Sequence, residues 1–168
     1  MLSYFYLNIN TYKMQKLNPI IRFFIFLVIN FGALYIGSIL QGEGPSSNWY
    51  QGLNQAPWVP PGWVFGAAWF SIMLCFTIFL TKVSEIKPFK GFGALFIVQF
   101  ILNVSWNPIF FNLKLVLPAL IVITCLMFLM WLWFFKSKDV KGFRFLLLPY
   151  CIWLTIATSL NGYVLLFN

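Results

Sequence analysis

Apolar residues run along this chain in five long blocks, at about Pro19–Leu40, Pro60–Thr81, Gly91–Asn112, Leu115–Phe135 and Phe143–Phe167, and the polar residues crowd between them. Each block is close to the roughly 20 residues that a helix needs to cross the hydrocarbon core of a bilayer. The connections hold the turn chemistry. Gln41–Pro57 carries Gly42, Gly44, Pro45, Ser46 and Ser47, whereas Lys82–Lys90 and Lys136–Lys141 are short and charged. The pattern predicts an all-α fold, an integral membrane bundle of five transmembrane helices over residues 19–168, with an N-terminal extension at 1–18 and one long loop at 41–59.

Composition strengthens this reading. Of 168 residues, 61% are hydrophobic and 8% charged, and the mean hydropathy is +0.86. A soluble domain of this size needs a far more polar surface, so lipid must be the solvent for most of the exterior. Charge then gives direction. Ten of the eleven basic residues fall on one side of the bundle: Lys13, Lys16 and Arg22 at the first block, Lys82, Lys87 and Lys90 in the second loop, and Lys136, Lys138, Lys141 and Arg144 in the fourth. Only Lys114 falls on the other. In a bacterial inner membrane the positive-inside rule places the N-terminus in the cytoplasm, and loop 1 and the C-terminus outside. The net charge of +8 is spread over short loops with no dense basic stripe, which argues against nucleic acid. The first block is long for a signal peptide and lacks a clear cleavage site.

Candidate chemistry is sparse. There is no histidine, and Glu43, Glu85 and Asp139 all lie between the apolar blocks. Cys75, Cys125 and Cys151 lie inside blocks without metal-ligand spacing and read as buried free thiols. Ordinary acid–base catalysis, a metal centre and a resident cofactor are therefore not expected.

Several polar and aromatic residues stand out inside the blocks. Gln99, Asn103 and Asn107 share one face of the third helix, which should turn toward the bundle interior, either to bond other helices or to meet a ligand. The first helix repeats the pattern with Asn30, Leu34, Ser38 and Gln41, flanked by Gly32 and Gly37, which read as packing positions. In the fifth helix Pro149, Trp153, Ala157 and Asn161 align, a large ring beside a small residue. Trp49, Trp58 and Trp63 suit an interfacial aromatic belt, but Trp69 lies two turns deeper, in register with Phe65 and Met73.

Three of these stretches together carry a resemblance. WYQGLNQAPWVPPGWVFGAAWF (Trp49–Phe70), QFILNVSWNPIFF (Gln99–Phe111) and LLLPYCIWLTIATSLNGYVLLFN (Leu146–Asn168), in order and correctly spaced, resemble the TspO/MBR family of tryptophan-rich sensory or translocator proteins. The resemblance covers nearly everything after about residue 19. It implies a five-helix bundle, commonly a homodimer, with a pocket near the loop 1 end that accepts porphyrin-type tetrapyrroles such as protoporphyrin IX or haem-like molecules. Its binding positions fall on Tyr50, Pro60, Trp69, Asn103, Trp106, Trp153 and Ala157. An apolar pocket with aromatic faces and one or two amides suits a flat amphiphilic macrocycle.

Two departures qualify what is carried over. Leu160 and Tyr163 begin a sterol motif known in animal members, but Val164–Asn168 contains no basic residue, which argues against sterol binding there. Ala56 stands where many relatives have a basic residue that could meet a ligand carboxylate. Three functions follow: a tetrapyrrole-binding sensor, receptor or transporter with loop 1 as its lid; a light- or oxygen-dependent porphyrin-degrading enzyme, with Trp69 and Trp153 as candidate catalytic residues; or a structural membrane protein that acts through partner assembly. No span carries a charge at its centre for coupling to an ion gradient, so energised pumping by this chain alone is not expected. Gly91 and Gly93 are weak candidates for a dimer contact.

Overall fold

The first long helix of the computed structural model, α1, covers Pro19–Leu40, and its start shows how the sequence sets an end. The Asn18 side chain accepts a hydrogen bond from the Ile20 N–H, and Pro19 occupies the first turn, where a missing N–H costs nothing. The structure describes residues 17–168. Lys13, Lys16 and most of the predicted extension lie outside the described residues.

Four more long helices follow: α2 (Gly62–Ile86), α3 (Gly93–Asn107), α4 (Val116–Lys136) and α5 (Leu148–Phe167). With them α1 makes, among the described residues, five helices long and apolar enough to cross a membrane. α2 runs past the predicted end at Thr81, because Lys82 and Glu85 pair along the helix at 3.1 Å and a stop comes only at Pro88. The third predicted block divides at Pro108, where α3 gives way to a wide π turn over Pro108–Asn112. The last helix begins at Leu148 and not at Phe143. Residues Lys138–Leu147 form 3₁₀ turns interrupted at Lys141, whose φ of 52° is left-handed, and Pro149 in the first turn marks where α-helix becomes possible.

The helices form a ring. Each packs on two neighbours in the order α1, α2, α5, α4, α3 and back to α1, while pairs across the ring are not closely packed. At interaxial distances of about 9 Å, the centre of such a ring lies roughly 8 Å from each helix axis, a distance that only large side chains fill. Every helix sends one aromatic ring there: Phe26, Phe76, Phe96, Trp133 and Tyr150, all buried. Phe76 is the hub, its ring centroid 6.2 Å from Phe96, 5.6 Å from Trp133 and 5.6 Å from Tyr150, and Phe96 meets Phe26 at 5.7 Å.

Polar residues of α1 follow a different stripe from the predicted one. Its buried face is Arg22, Phe26, Asn30, Ala33 and Gly37; Ser38 is exposed and only bonds back to the Tyr35 carbonyl. Asn30 donates to Thr77 of α2 at 2.9 Å. At Gly37 an added Cβ would come within 2.7 Å of the Asn107 side chain, so the absence of a side chain lets α1 approach α3. Gly32 has open space. Of the cysteines, Cys151 is buried, Cys75 half-buried and Cys125 exposed on the outer, apolar surface of the ring, so the expectation of three buried thiols holds for one.

Gly93 is an intramolecular packing position, in contrast to the dimer contact proposed from sequence. It is buried, and an added Cβ would fall 2.5 Å from the Phe89 ring, which itself packs on Phe92. Gly93→Ala is expected to cost about 1–3 kcal/mol, whereas Gly32→Ala should be neutral or slightly stabilising. Thermal unfolding of the two purified variants in one detergent checks this, and equal midpoints would refute it.

Candidate functional site

One end of the ring gathers loop 1, the α3–α4 turn and the C-terminus. Loop 1 starts with two glycines, Gly42 and Gly44, in left-handed conformations that ordinary residues resist. The Ser47 side chain then caps a single helical turn, Asn48–Gln51, by accepting from the Tyr50 N–H. That turn presents Trp49 and Tyr50 to Phe110, at 5.6 and 6.2 Å, and Tyr50 also to Phe111 at 5.3 Å. Burial raises the pKa of Tyr50 above its usual value, so its phenol stays neutral at physiological pH.

The far part of loop 1 is fastened to α5. The Asn54 N–H donates to the Asn168 side chain at 2.8 Å, and the Asn168 amide donates back to the Asn54 carbonyl at 3.2 Å. The Trp58 indole N–H donates to Ser159 at 3.1 Å, with its ring 5.4 Å from Tyr163. Ala56 is buried in this loop, and Pro60 is half-buried in the stretch that leads into α2.

Beneath the loop, α3 and α5 face each other across the ring, joined by side chains. The Tyr150 hydroxyl accepts from the Gln99 amide at 2.9 Å and donates to Asn103 Oδ1 at 3.0 Å. Its ring meets Trp69 of α2 edge-on at 5.9 Å. One turn nearer the loop, the Trp106 indole donates to Asn161 Oδ1 at 3.1 Å and stacks on Phe110 at 5.4 Å. Trp153, buried on α5, meets Phe65 of α2 at 5.1 Å, and the half-buried Ala157 lies one turn further along α5.

The structure thus links Trp69 and Asn103 through Tyr150, and Tyr50 and Trp106 through Phe110 and Phe111. Asn107 is half-buried beside Gly37 and outside the bonded pair Gln99 and Asn103. Pro149 is exposed, so the interior stripe of α5 reads Tyr150, Trp153, Ala157 and Asn161. Sequence reasoning missed Tyr150. The available signal was its position seven residues before Ala157 and three before Trp153, together with a hydroxyl that must find a partner when buried. Gln99 Oε1 is buried with no hydrogen-bond partner among the described residues, an acceptor left open in an aromatic interior.

Comparison with known proteins identifies the family of this fold. The profile of the TspO/MBR family matches residues 23–166. The chain belongs to the TspO/MBR family. It is 34% identical over 120 residues to a tryptophan-rich sensory protein of Cereibacter sphaeroides, covering 67% of this chain and 72% of that one. It is 30% identical over 155 residues to the tryptophan-rich protein TspO of Bacillus cereus, covering 88% and 94%. Similarity extends to the human translocator protein, at 31% over 139 residues, covering 76% and 78%. With its five membrane-length helices, this TspO/MBR chain is an integral membrane protein.

Tyr150 gives the family fold a checkable joint. Tyr150→Phe leaves the Gln99 amide and Asn103 Oδ1 without their shared partner in a buried setting, which should cost about 1–2 kcal/mol. Asn103→Leu should then cost less in the Tyr150→Phe background than in the wild type. Unfolding free energies of the two single variants and the double variant test the coupling, and strict additivity would show that the bond contributes nothing.

Proposed function

We propose that this TspO/MBR membrane protein is a receptor, sensor or transporter for a porphyrin-type tetrapyrrole, held between α2, α3 and α5 beneath loop 1. The observation that carries the reading is the side-chain bridging of α3 and α5 by Tyr150, Gln99, Asn103, Trp106 and Asn161, with no close backbone packing between them. Space bounded by rotatable side chains can be re-formed around a ligand at the cost of a few hydrogen bonds, whereas space closed by packed backbones cannot.

The chemistry of the walls fits a flat macrocycle. Trp69, Trp106 and Trp153 offer faces and edges for an extended π system, Ala157 leaves room beside Trp153, and Gln99 Oε1 is an open acceptor for a pyrrole N–H. Loop 1, held by two bonds to Asn168 and one to Ser159, serves as the lid through which the ligand exchanges. The described basic residues other than Lys114 all belong to the end away from loop 1, which in a bacterial inner membrane makes that end cytoplasmic and opens the lid outward.

Titration of the detergent-purified protein with protoporphyrin IX, followed by tryptophan quenching, tests the reading. Saturable binding is expected, weakened about threefold or more in Trp69→Phe and in Trp153→Phe. Absence of saturable quenching in a folded sample, or identical affinities in all three proteins, would overturn it.

A further inference from the structure

At the end opposite loop 1 lies a cavity of about 230 Å³, where the ends of α2 and α4 meet the start of α3. Its apolar wall includes the buried rings of Phe92 and Trp133. Its polar wall comprises Lys87, Lys136 and Ser137. None of these belongs to the proposed tetrapyrrole site.

Three features give this cavity a preference for an anion. Lys87 is oriented by Asp139 at 2.8 Å, an acid that is not part of the lining, and Lys136 is exposed at the rim with no ion pair among the described residues. Ser137 is only 3% exposed, yet its hydroxyl makes no hydrogen bond among the described residues. That hydroxyl, on the lining of the cavity, is free to pair with what occupies it. Finally, α3 begins at Gly93 with no side-chain cap and no acid in its first turn, so the positive end of a 15-residue helix points to this region uncompensated.

The mixed lining selects among anions. A free inorganic ion has no use for two aromatic rings, and the cavity is larger than such an ion needs. A phosphate ester attached to a hydrocarbon tail uses both walls, and the cavity sits at the ends of membrane-spanning helices, at headgroup depth. Gly91 and Lys136 are exposed at the rim, which leaves a way out for acyl chains.

We propose that this cavity binds the phosphate headgroup of an anionic phospholipid from the leaflet at that end. Lys136 and Lys87 pair with the phosphate, Ser137 donates to it, and Phe92 and Trp133 pack on the glycerol and the first methylenes. Site-bound lipid of this kind would tie α2, α3 and α4 together where the short loops alone connect them.

The test uses the full chain, purified in detergent and stripped of lipid, with bound molecules counted by native mass spectrometry. Short-chain phosphatidic acid is titrated against phosphatidylcholine of the same chain length and against inorganic phosphate. One phosphatidic acid per chain is expected to bind most tightly. Lys136→Gln and Ser137→Ala should each weaken it about tenfold, and Lys136→Arg should restore most of the loss. Lys138→Gln, the same charge change at an exposed position outside the lining, should stay within about twofold of wild type. Equal losses in Lys136→Gln and Lys138→Gln would reduce the effect to diffuse charge attraction and overturn the site. Inorganic phosphate binding as tightly as the lipid would overturn the lipid assignment. Unfolding midpoints of the same samples show whether Lys136→Gln and Ser137→Ala remain folded; loss of lipid in a folded variant supports the site.

Discussion

A ring of five helices cannot close its own centre by backbone contact, and every other feature of this protein depends on how that centre is filled. Phe76 takes the middle, with Phe96, Trp133 and Tyr150 around it and Phe26 behind Phe96, so that each of the five helices is anchored to the others by one aromatic ring. In lipid there is little hydrophobic force to draw helices together, so this packing and the bonds between helices must hold the ring. Edge-to-face geometry suits such a junction, because each ring offers a positive edge to a neighbour's negative face.

Above the plug, the same ring geometry leaves α3 and α5 apart, and the chain fills the gap with groups that bond and can also rotate. Interhelical bonding and ligand contact, the two roles open to the amides of α3, therefore do not compete. Asn103 and Gln99 hold α5 through the Tyr150 hydroxyl, and the rings beside that hydroxyl are the ones a macrocycle would meet. Loop 1 is tied to the same helix, at Ser159 and Asn168. α5 thus connects the plug, the amides and the loop, and movement of one reaches the others through a single rigid element.

Much of this was legible in the sequence, for physical reasons that differ from residue to residue. Span number follows from apolar length, since lipid tolerates no other reading of five such blocks. Span ends were less legible. Lys82 and Glu85 look like a loop, but they satisfy each other along a helix that simply rises out of the apolar layer. Phe143–Leu147 looks like the start of a span and is wound as 3₁₀ turns until Pro149 allows an α-helix. The roles of Tyr150 and Gly93 were hidden for another reason: each depends on a partner brought in from elsewhere, the α3 amides in one case and the Phe89 ring in the other, and no periodicity announces a partner. Trp69, Trp153 and Asn103 were conspicuous because bulky rings and amides at helical spacing are rarely placed in a span without an interior to face, whereas Trp106 entered only through the family resemblance.

The proposed tetrapyrrole site has a definite place, among α2, α3 and α5 beneath loop 1 and above the Phe76 plug. A structure of the protein crystallised with protoporphyrin IX tests it most directly. The macrocycle is expected against Trp69 and Trp153, with residues 41–59 closed over it and the Tyr150–Asn103 bond at its inner edge. A porphyrin found only on the lipid-facing surface, or in the lysine-lined cavity at the opposite end, would rule out a site beneath loop 1.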